Sequence, residues 1–198
     1  MINWYWISSM RRYFGVLQDA LLFAAISLHV LVSPFAKVEE SFNLQALYDL
    51  HTLPPLAAFD HQTFPGVVPR SFLGAIGLSL LATPLRLLGW LIRMVIRKNE
   101  KQPGTLLHIQ IMYRLLLGLL TTLCLSRLRR AISKTFSERV ARMFTVLLVL
   151  TQFHLLFYSS RTLPNTFSLC LSSLAFAAWL QVSALILDKN FFLFNNRL

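Results

Sequence analysis

Acidic residues are scarce in this chain. Eight aspartates and glutamates stand against nineteen lysines and arginines in 198 residues, a formal charge of +11 at neutral pH. Charge of either sign is sparse, at 14% of residues, while hydrophobic residues make up 56%. A soluble domain of this length has too little polar surface to cover so much apolar matter, which leaves an integral membrane protein. Cysteine is limited to Cys124 and Cys170, each inside an apolar run, so neither a disulfide framework nor a metal site is implied. No glycine-rich phosphate loop, Ser-His-Asp order or zinc spacing appears, which argues against a soluble nucleotide-sugar fold and against a metal-dependent site. No nucleic-acid motif accompanies the excess of basic residues. Because these residues flank apolar runs, they read as topology signals and lipid-headgroup contacts rather than as a nucleic-acid surface.

Half of the eight acids, Glu39, Glu40, Asp49 and Asp60, fall between residues 36 and 70. That segment follows the first apolar run, Val16–Phe35. Four further runs, Ser71–Ile96, Ile109–Leu125, Val140–Tyr158 and Asn165–Leu187, have or approach the roughly 20 residues a span requires. Arg11 and Arg12 precede the first run and no small-residue cleavage site follows it, so a retained signal anchor is expected. If all five runs crossed with a cytoplasmic N-terminus, more basic residues would lie on the far side than on the cytoplasmic side, against the usual bias. The bias is restored if Ser71–Ile96, which contains Pro84 and Arg86, enters the membrane and bends without crossing. This version also puts loop 36–70 and Arg161 on one face.

Within loop 36–70, Ser41 is a candidate N-cap for a helix reaching about Leu50, with Phe42, Ala46 and Leu50 on one face and Gln45 and Asp49 on another. A short amphipathic helix at the membrane surface is expected, stopped by the segment His51 to Pro55. Glu39 and Glu40, at the junction, are either a general base with its neighbour or solvated charges near a helix N-terminus. Asp60-His61 is either an acceptor-orienting, proton-transferring or metal-binding pair or a polar turn. Arg161, in Ser160-Arg161-Thr162-Leu163-Pro164-Asn165, is either a phosphate clamp or a snorkelling interfacial arginine. Arg70 is a second candidate phosphate contact. Arg114, deep in an apolar run, either serves function or pairs with Asp19 or a helix-end carbonyl. His29 and His154 read as satisfied core histidines. The residues Trp4, Tyr5 and Trp6 read as an interfacial belt.

Three blocks carry a family resemblance: Lys37-Val38-Glu39-Glu40-Ser41-Phe42-Asn43-Leu44-Gln45-Ala46; Phe59-Asp60-His61 followed by Phe64 to Gly74; and Gln152-Phe153-His154 through Asn165. In this order they resemble the polytopic dolichyl-phosphate-mannose-dependent mannosyltransferases of the endoplasmic reticulum. Within that family the resemblance points to the α-1,6 enzymes that add the eighth mannose to the lipid-linked N-glycan precursor.

The resemblance implies an all-α membrane bundle of glycosyltransferase-C type, multi-pass, with a catalytic first lumenal loop at 36–70 that carries an interfacial helix. It implies transfer of mannose from dolichyl phosphate mannose to a dolichyl-diphosphate-linked oligosaccharide, with inversion, without cofactor or metal and without nucleic acid. Membrane lipid is a further partner. The roles implied are Glu39 as base with Glu40 assisting, and substrate contacts at Asn43, Asp60, His61, Arg70, Arg161 and Asn165. Other family members often carry Asp where Glu39 stands. Family members are also much longer, and residues 188–198 do not look like their continuation. Residues 1–187 are therefore expected to be the amino-terminal part of such a domain, followed by a divergent tail at 188–198. The competing expectation is an inactive truncated form that binds only lipid or a partner chain.

Overall fold

A computed structural model describes residues 4–53, 55, 59, 71–96 and 106–195. Among these residues the structure is helical throughout and contains no strand. Seven α-helices are formed: α1 Trp4–Val32, α2 Ser41–Thr52, α3 Leu73–Ile96, α4 Leu106–Thr135, α5 Glu138–Leu150, α6 Phe153–Tyr158 and α7 Pro164–Asn195, with a 3-10 turn at Val38–Glu40 before α2. The stretches Tyr13–Val32, Leu73–Leu91, Leu107–Thr135 and Pro164–Ile186 are each long and apolar enough to cross a bilayer.

The distribution of side chains is that of a membrane protein. Leu17, Leu21 and Leu28 of α1, Leu80 and Leu87 of α3, and Leu171, Phe176 and Trp179 of α7 face outward, while Glu40, Arg114 and Arg161 are buried. Each such apolar side chain left in water forgoes about 1.5–3 kcal/mol of burial. In a hydrocarbon surround that cost vanishes, and buried charges facing the bundle interior are the expected counterpart.

Polar contacts give the helix directions. Gln110 and Arg114, near the start of α4, bond the Pro34 carbonyl just past the end of α1. Arg129, near the far end of α4, bonds Asp19 and the Gly15 carbonyl. Helices α1 and α4 are therefore antiparallel. Thr121 of α4 meets Cys170, and Thr135 meets the Leu180 carbonyl, so α7 descends beside α4 in the same sense. This α4–α7 contact is the most extensive in the bundle. Leu22 and Ile26 of α1, Leu125 of α4 and Leu156 of α6 form one core cluster.

The run Val140–Tyr158 is not one helix. It breaks at Thr151-Gln152 into α5 and α6, with Gln152 at φ −103°, ψ 66°. Thr151 turns its hydroxyl back onto the Leu147 carbonyl at 2.7 Å, a local bond that competes with helix continuation. The chain still travels the length of the bundle, from Glu138 against Ser133 to Tyr158 against Lys37.

Helix α3 continues through Pro84 as one helix. Its contacts keep it at one end of the bundle. Phe72 lies tilted against Phe42 with ring centres 5.4 Å apart, and a Cβ on Gly74 would lie 2.9 Å from the Phe167 ring at the start of α7. Arg86 donates to the His51 carbonyl at 2.8 Å. Helix α3 thus runs alongside α2 in the same direction. Helix α1 ends and α4 begins at this same end.

Helix α2 is packed more deeply than a surface helix. Ala46 and Leu47 join Ala75, Leu78, Ala82, Ile109, Tyr113 and Leu117 in a second core cluster, and Asp49 is buried. Ser41 is the first helical residue and donates to the Val38 carbonyl, so it does not act as the cap. The helix ends at Leu53 in a left-handed conformation (φ 49°, ψ 54°) just before Pro54-Pro55.

Candidate active site

The candidate site grows out of the turn after α1. Three successive carbonyls there are taken up by side chains from distant helices. Ser33 and Pro34 accept from Arg114 at 3.2 and 2.8 Å, Pro34 also accepts from Gln110 at 2.6 Å, and Phe35 accepts from Arg161 at 3.0 Å. These groups stand at the negative end of a long helix, where guanidinium charge is favoured. Arg114 therefore bonds helix-end carbonyls. Asp19 is at the other end of the bundle.

Glu40 completes the knot. Its Oε1 accepts from Arg161 Nη1 and, at 3.1 Å, from the Lys37 amide at the start of the 3-10 turn. Both partners of the ion pair are enclosed, with side-chain exposures of 0% for Glu40 and 1% for Arg161. Arg161 also reaches the Ser33 hydroxyl at 3.2 Å and lies 4.2 Å from the centre of the Phe157 ring. It comes from the turn between α6 and α7, whose Thr162 carbonyl accepts from Asn43 Nδ2 at 2.6 Å. Loop 37–43 is thus pinned to the 159–163 turn at two points.

A 3-10 turn advances about 120° per residue, so neighbouring side chains cannot share a direction. With Glu40 turned inward to Arg161, Glu39 faces out and is exposed. It lines a cleft of about 1170 Å³ between the 37–43 loop, the start of α3, α6 and the start of α7. Its lining is part polar, with Lys37, Asn43, Ser71 and Asn165, and part apolar, with Leu73, Leu155, Leu163, Phe167 and Leu169. A cleft so lined suits an amphiphile with a polar head on a hydrocarbon tail.

The structure therefore brings together Glu39, Asn43 and Asn165 on one cleft, with Glu40 and Arg161 behind its wall. Asp60, His61 and Arg70 lie outside the described residues. The two adjacent glutamates, alike in the sequence, occupy opposite environments. Arg161 has its guanidinium committed to Glu40, Ser33 and Phe35, so it braces the loop and does not face the cleft. Two lining residues escaped sequence reasoning as site candidates. Lys37 opens the first family block, yet it reads there only as a flanking charge. Tyr158, 121 positions later, donates nothing recognisable in sequence but accepts from Lys37 Nζ at 3.0 Å. Among the described residues no group of three or more His, Cys, Asp or Glu converges as metal ligands do.

Comparison with known proteins gives the family of the chain. The model of the Alg9-like mannosyltransferase family matches residues 20–196. A Dol-P-Man:Man(7)GlcNAc(2)-PP-Dol alpha-1,6-mannosyltransferase of Drosophila melanogaster is 37% identical over 164 residues, covering 82% of this chain and 23% of the relative. The protein of that name from Arabidopsis thaliana is 37% identical over 82% of this chain and 31% of its own length. The Saccharomyces cerevisiae protein is 34% identical over 74% of this chain and 29% of its own length. The chain spans 23–31% of the length of these curated relatives. No solved structure matches it significantly. The matched region takes in the 37–43 loop, the cleft and the Arg161 turn together, and the chain belongs to the Alg9-like mannosyltransferase family.

Proposed function

We propose that this chain carries the catalytic loop of a mannosyltransferase that moves mannose from dolichyl phosphate mannose to a dolichyl-diphosphate-linked oligosaccharide, forming an α-1,6 linkage. The reaction is placed at the lumenal face of the endoplasmic reticulum membrane. Relatives named for this reaction support the reading, and one feature of the chain itself carries it. Glu39 is an exposed carboxylate on the wall of a cleft lined by both polar and apolar side chains, on a turn that buried ion pairing holds in place.

In this reading Glu39 accepts the proton of the acceptor 6-hydroxyl as its oxygen attacks the anomeric carbon of mannose. The bond from that carbon to the phosphate oxygen breaks on the opposite side, and dolichyl phosphate departs with the electron pair. The configuration inverts in a single displacement. Asn43 and Asn165 line the same cleft, and in this reading they meet hydroxyls of the sugars. Glu40 and Arg161 fix the height and direction of Glu39, and near-attack positioning of that kind is a large part of such catalysis.

The test is the lipid-linked oligosaccharide profile of cells lacking the endogenous α-1,6 enzyme. Expression of this chain is expected to convert seven-mannose lipid to eight-mannose lipid, and Glu39→Gln is expected to abolish the conversion. Persistence of seven-mannose lipid with the unaltered chain would sink the claim that it suffices for transfer. Full conversion by Glu39→Gln would sink the base assignment.

A further inference from the structure

The proposed reaction has one chemical need that none of the roles given to the described residues meets. The departing lipid phosphate carries negative charge that grows as the sugar bond breaks, and a preorganised cation lowers the cost. Arg161 is enclosed and committed to Glu40, Ser33 and Phe35. Among the described residues Lys37 is the only lysine or arginine that lines the cleft.

Lys37 is also held in position. Its Nζ donates to Tyr158 Oη at 3.0 Å and sits 5.1 and 5.0 Å from the ring centres of Phe157 and Tyr158. Tyr158 is fixed in turn, edge-on to Phe157 at 5.1 Å and stacked with His154 at 6.4 Å. An ammonium has three donors. One is spent on Tyr158, which leaves donors for an anion in the cleft. The same cleft offers Leu163, Phe167 and Leu169 to a hydrocarbon tail.

We propose that Lys37, oriented by the hydroxyl and rings of Tyr158 and Phe157, is the phosphate-binding group for a lipid-borne phosphate in this cleft. The inference deepens the transferase reading and rests on it for the identity of the ligand. Lys37 holds the phosphate oxygens while Glu39, two residues on, faces the incoming hydroxyl.

The test is equilibrium binding of a radiolabelled two-isoprene alkyl phosphate to the chain in detergent, beside the same alcohol without phosphate. Lys37→Met is expected to weaken phosphate binding about tenfold, the order of one charge-assisted hydrogen bond, and to leave alcohol binding unchanged. Lys37→Arg should retain the phosphate to within about threefold, because the charge remains. Tyr158→Phe should fall between these two variants. Inorganic phosphate has no tail for the apolar wall, so it should compete only at about a hundredfold higher concentration or more.

Undiminished phosphate binding by Lys37→Met would overturn the proposal. So would equal loss of alcohol binding in that variant, or equal competition by inorganic phosphate. The transferase reading can fail separately. If the Lys37 dependence holds while membranes bearing the unaltered chain transfer no mannose, the phosphate site stands and the transferase reading falls. If transfer occurs but Lys37→Met binds the phosphate as before, the outcome is reversed.

Discussion

The bundle has an arginine–carboxylate lock at each end, and the two are built to different degrees of completion. At the far end, Asp19 of α1 takes Arg129 Nη2 at 3.0 Å on one oxygen and Ser126 Oγ at 2.6 Å on the other, with Arg130 3.7 Å away. The Asp19 side chain is 20% exposed. Among the described residues, none of this group has a buried side-chain atom left without a hydrogen bond. At the cleft end, Glu40 and Arg161 are sealed from solvent, and Glu40 Oε2, Arg161 Nε, Arg114 Nε, Ser160 Oγ and Thr162 Oγ1 are buried without a partner. Both locks tie α1 or its following loop to later helices. Only the second spends its charge beside a cavity and leaves bonding capacity unused. Under-satisfied buried polar groups are costly, and they collect where a fold is shaped for something besides its own stability. Both locks fasten helices, and the near one also holds the turn on which Glu39 stands.

The largest effect expected from this contrast is on catalysis without stability. Glu39 is exposed and stands next to the near lock without being part of it. Replacing Glu39 by Gln should lower mannose transfer by about 10²–10⁴-fold, the range of a lost general base, with the thermal midpoint in detergent unchanged. A fall in both activity and thermal midpoint would place Glu39 inside the structural lock and erase the distinction between the neighbours.

The second effect is on stability. Arg161→Met removes the one ion-pair partner that a fully enclosed carboxylate has among the described residues, so it should cost about 3–5 kcal/mol of unfolding free energy. Arg129→Met at the far end should cost less, about 1–3 kcal/mol, because Asp19 keeps Ser126 and Arg130 and some water. The order of the two losses, read by chemical denaturation in micelles, checks the comparison. A reversed order would make the far lock the tighter one. The double variant Glu40→Gln with Arg161→Met should cost less than the sum of the single changes, since the two residues share one interaction.

Much of this architecture is written in short-range pattern, and what is not depends on distance along the chain. The apolar runs announce four of the helices, and the paired glutamates after the first run mark the loop that matters. The break at Thr151-Gln152 is less visible, because two polar residues in an apolar run say nothing of a hydroxyl bonding back to Leu147. The division of labour between Glu39 and Glu40 is invisible to sequence reasoning. It is set by a 3-10 turn and by an arginine 121 residues away. The same separation hides Lys37, whose partners on α6 appear only when the chain has crossed the bundle and returned. Arg161 is legible as an arginine at the correct end of the bundle, but its burial is not. Asn43 and Asn165 are brought to one cleft as the family blocks imply, while Asp60, His61 and Arg70 lie outside the described residues.

The smallest effect concerns how the two ends tolerate added volume. Gly118 of α4 lies at the crossing with α1, and a Cβ there would sit 2.8 Å from Ile26 Cγ2 and 3.5 Å from Ser160 Cβ. Ile26 is fully enclosed, and Ser160 precedes the arginine of the near lock, so neither neighbour has open space to yield into. Gly118→Ala should therefore cost about 1–3 kcal/mol by overpacking, even though alanine is the better helix former. At the far end a Cβ on Gly15 would lie 3.2 Å from Arg129 Nη2 and 3.3 Å from Nη1, so the guanidinium need give by only a few tenths of an ångström. Gly15→Ala should cost well under about 1 kcal/mol, since the helix gain of roughly 0.5–1 kcal/mol offsets the shift. On α3, Gly77 has nothing within 4 Å of a built Cβ, so Gly77→Ala serves as the reference and should be neutral or slightly stabilising. Thermal midpoints of the three alanine variants in one detergent should rank Gly77, Gly15 and Gly118 from highest to lowest. A Gly118→Ala midpoint equal to that of Gly77→Ala would mean that the wall behind Glu39 gives way as easily as lipid, and a mount that soft could not hold a base in place.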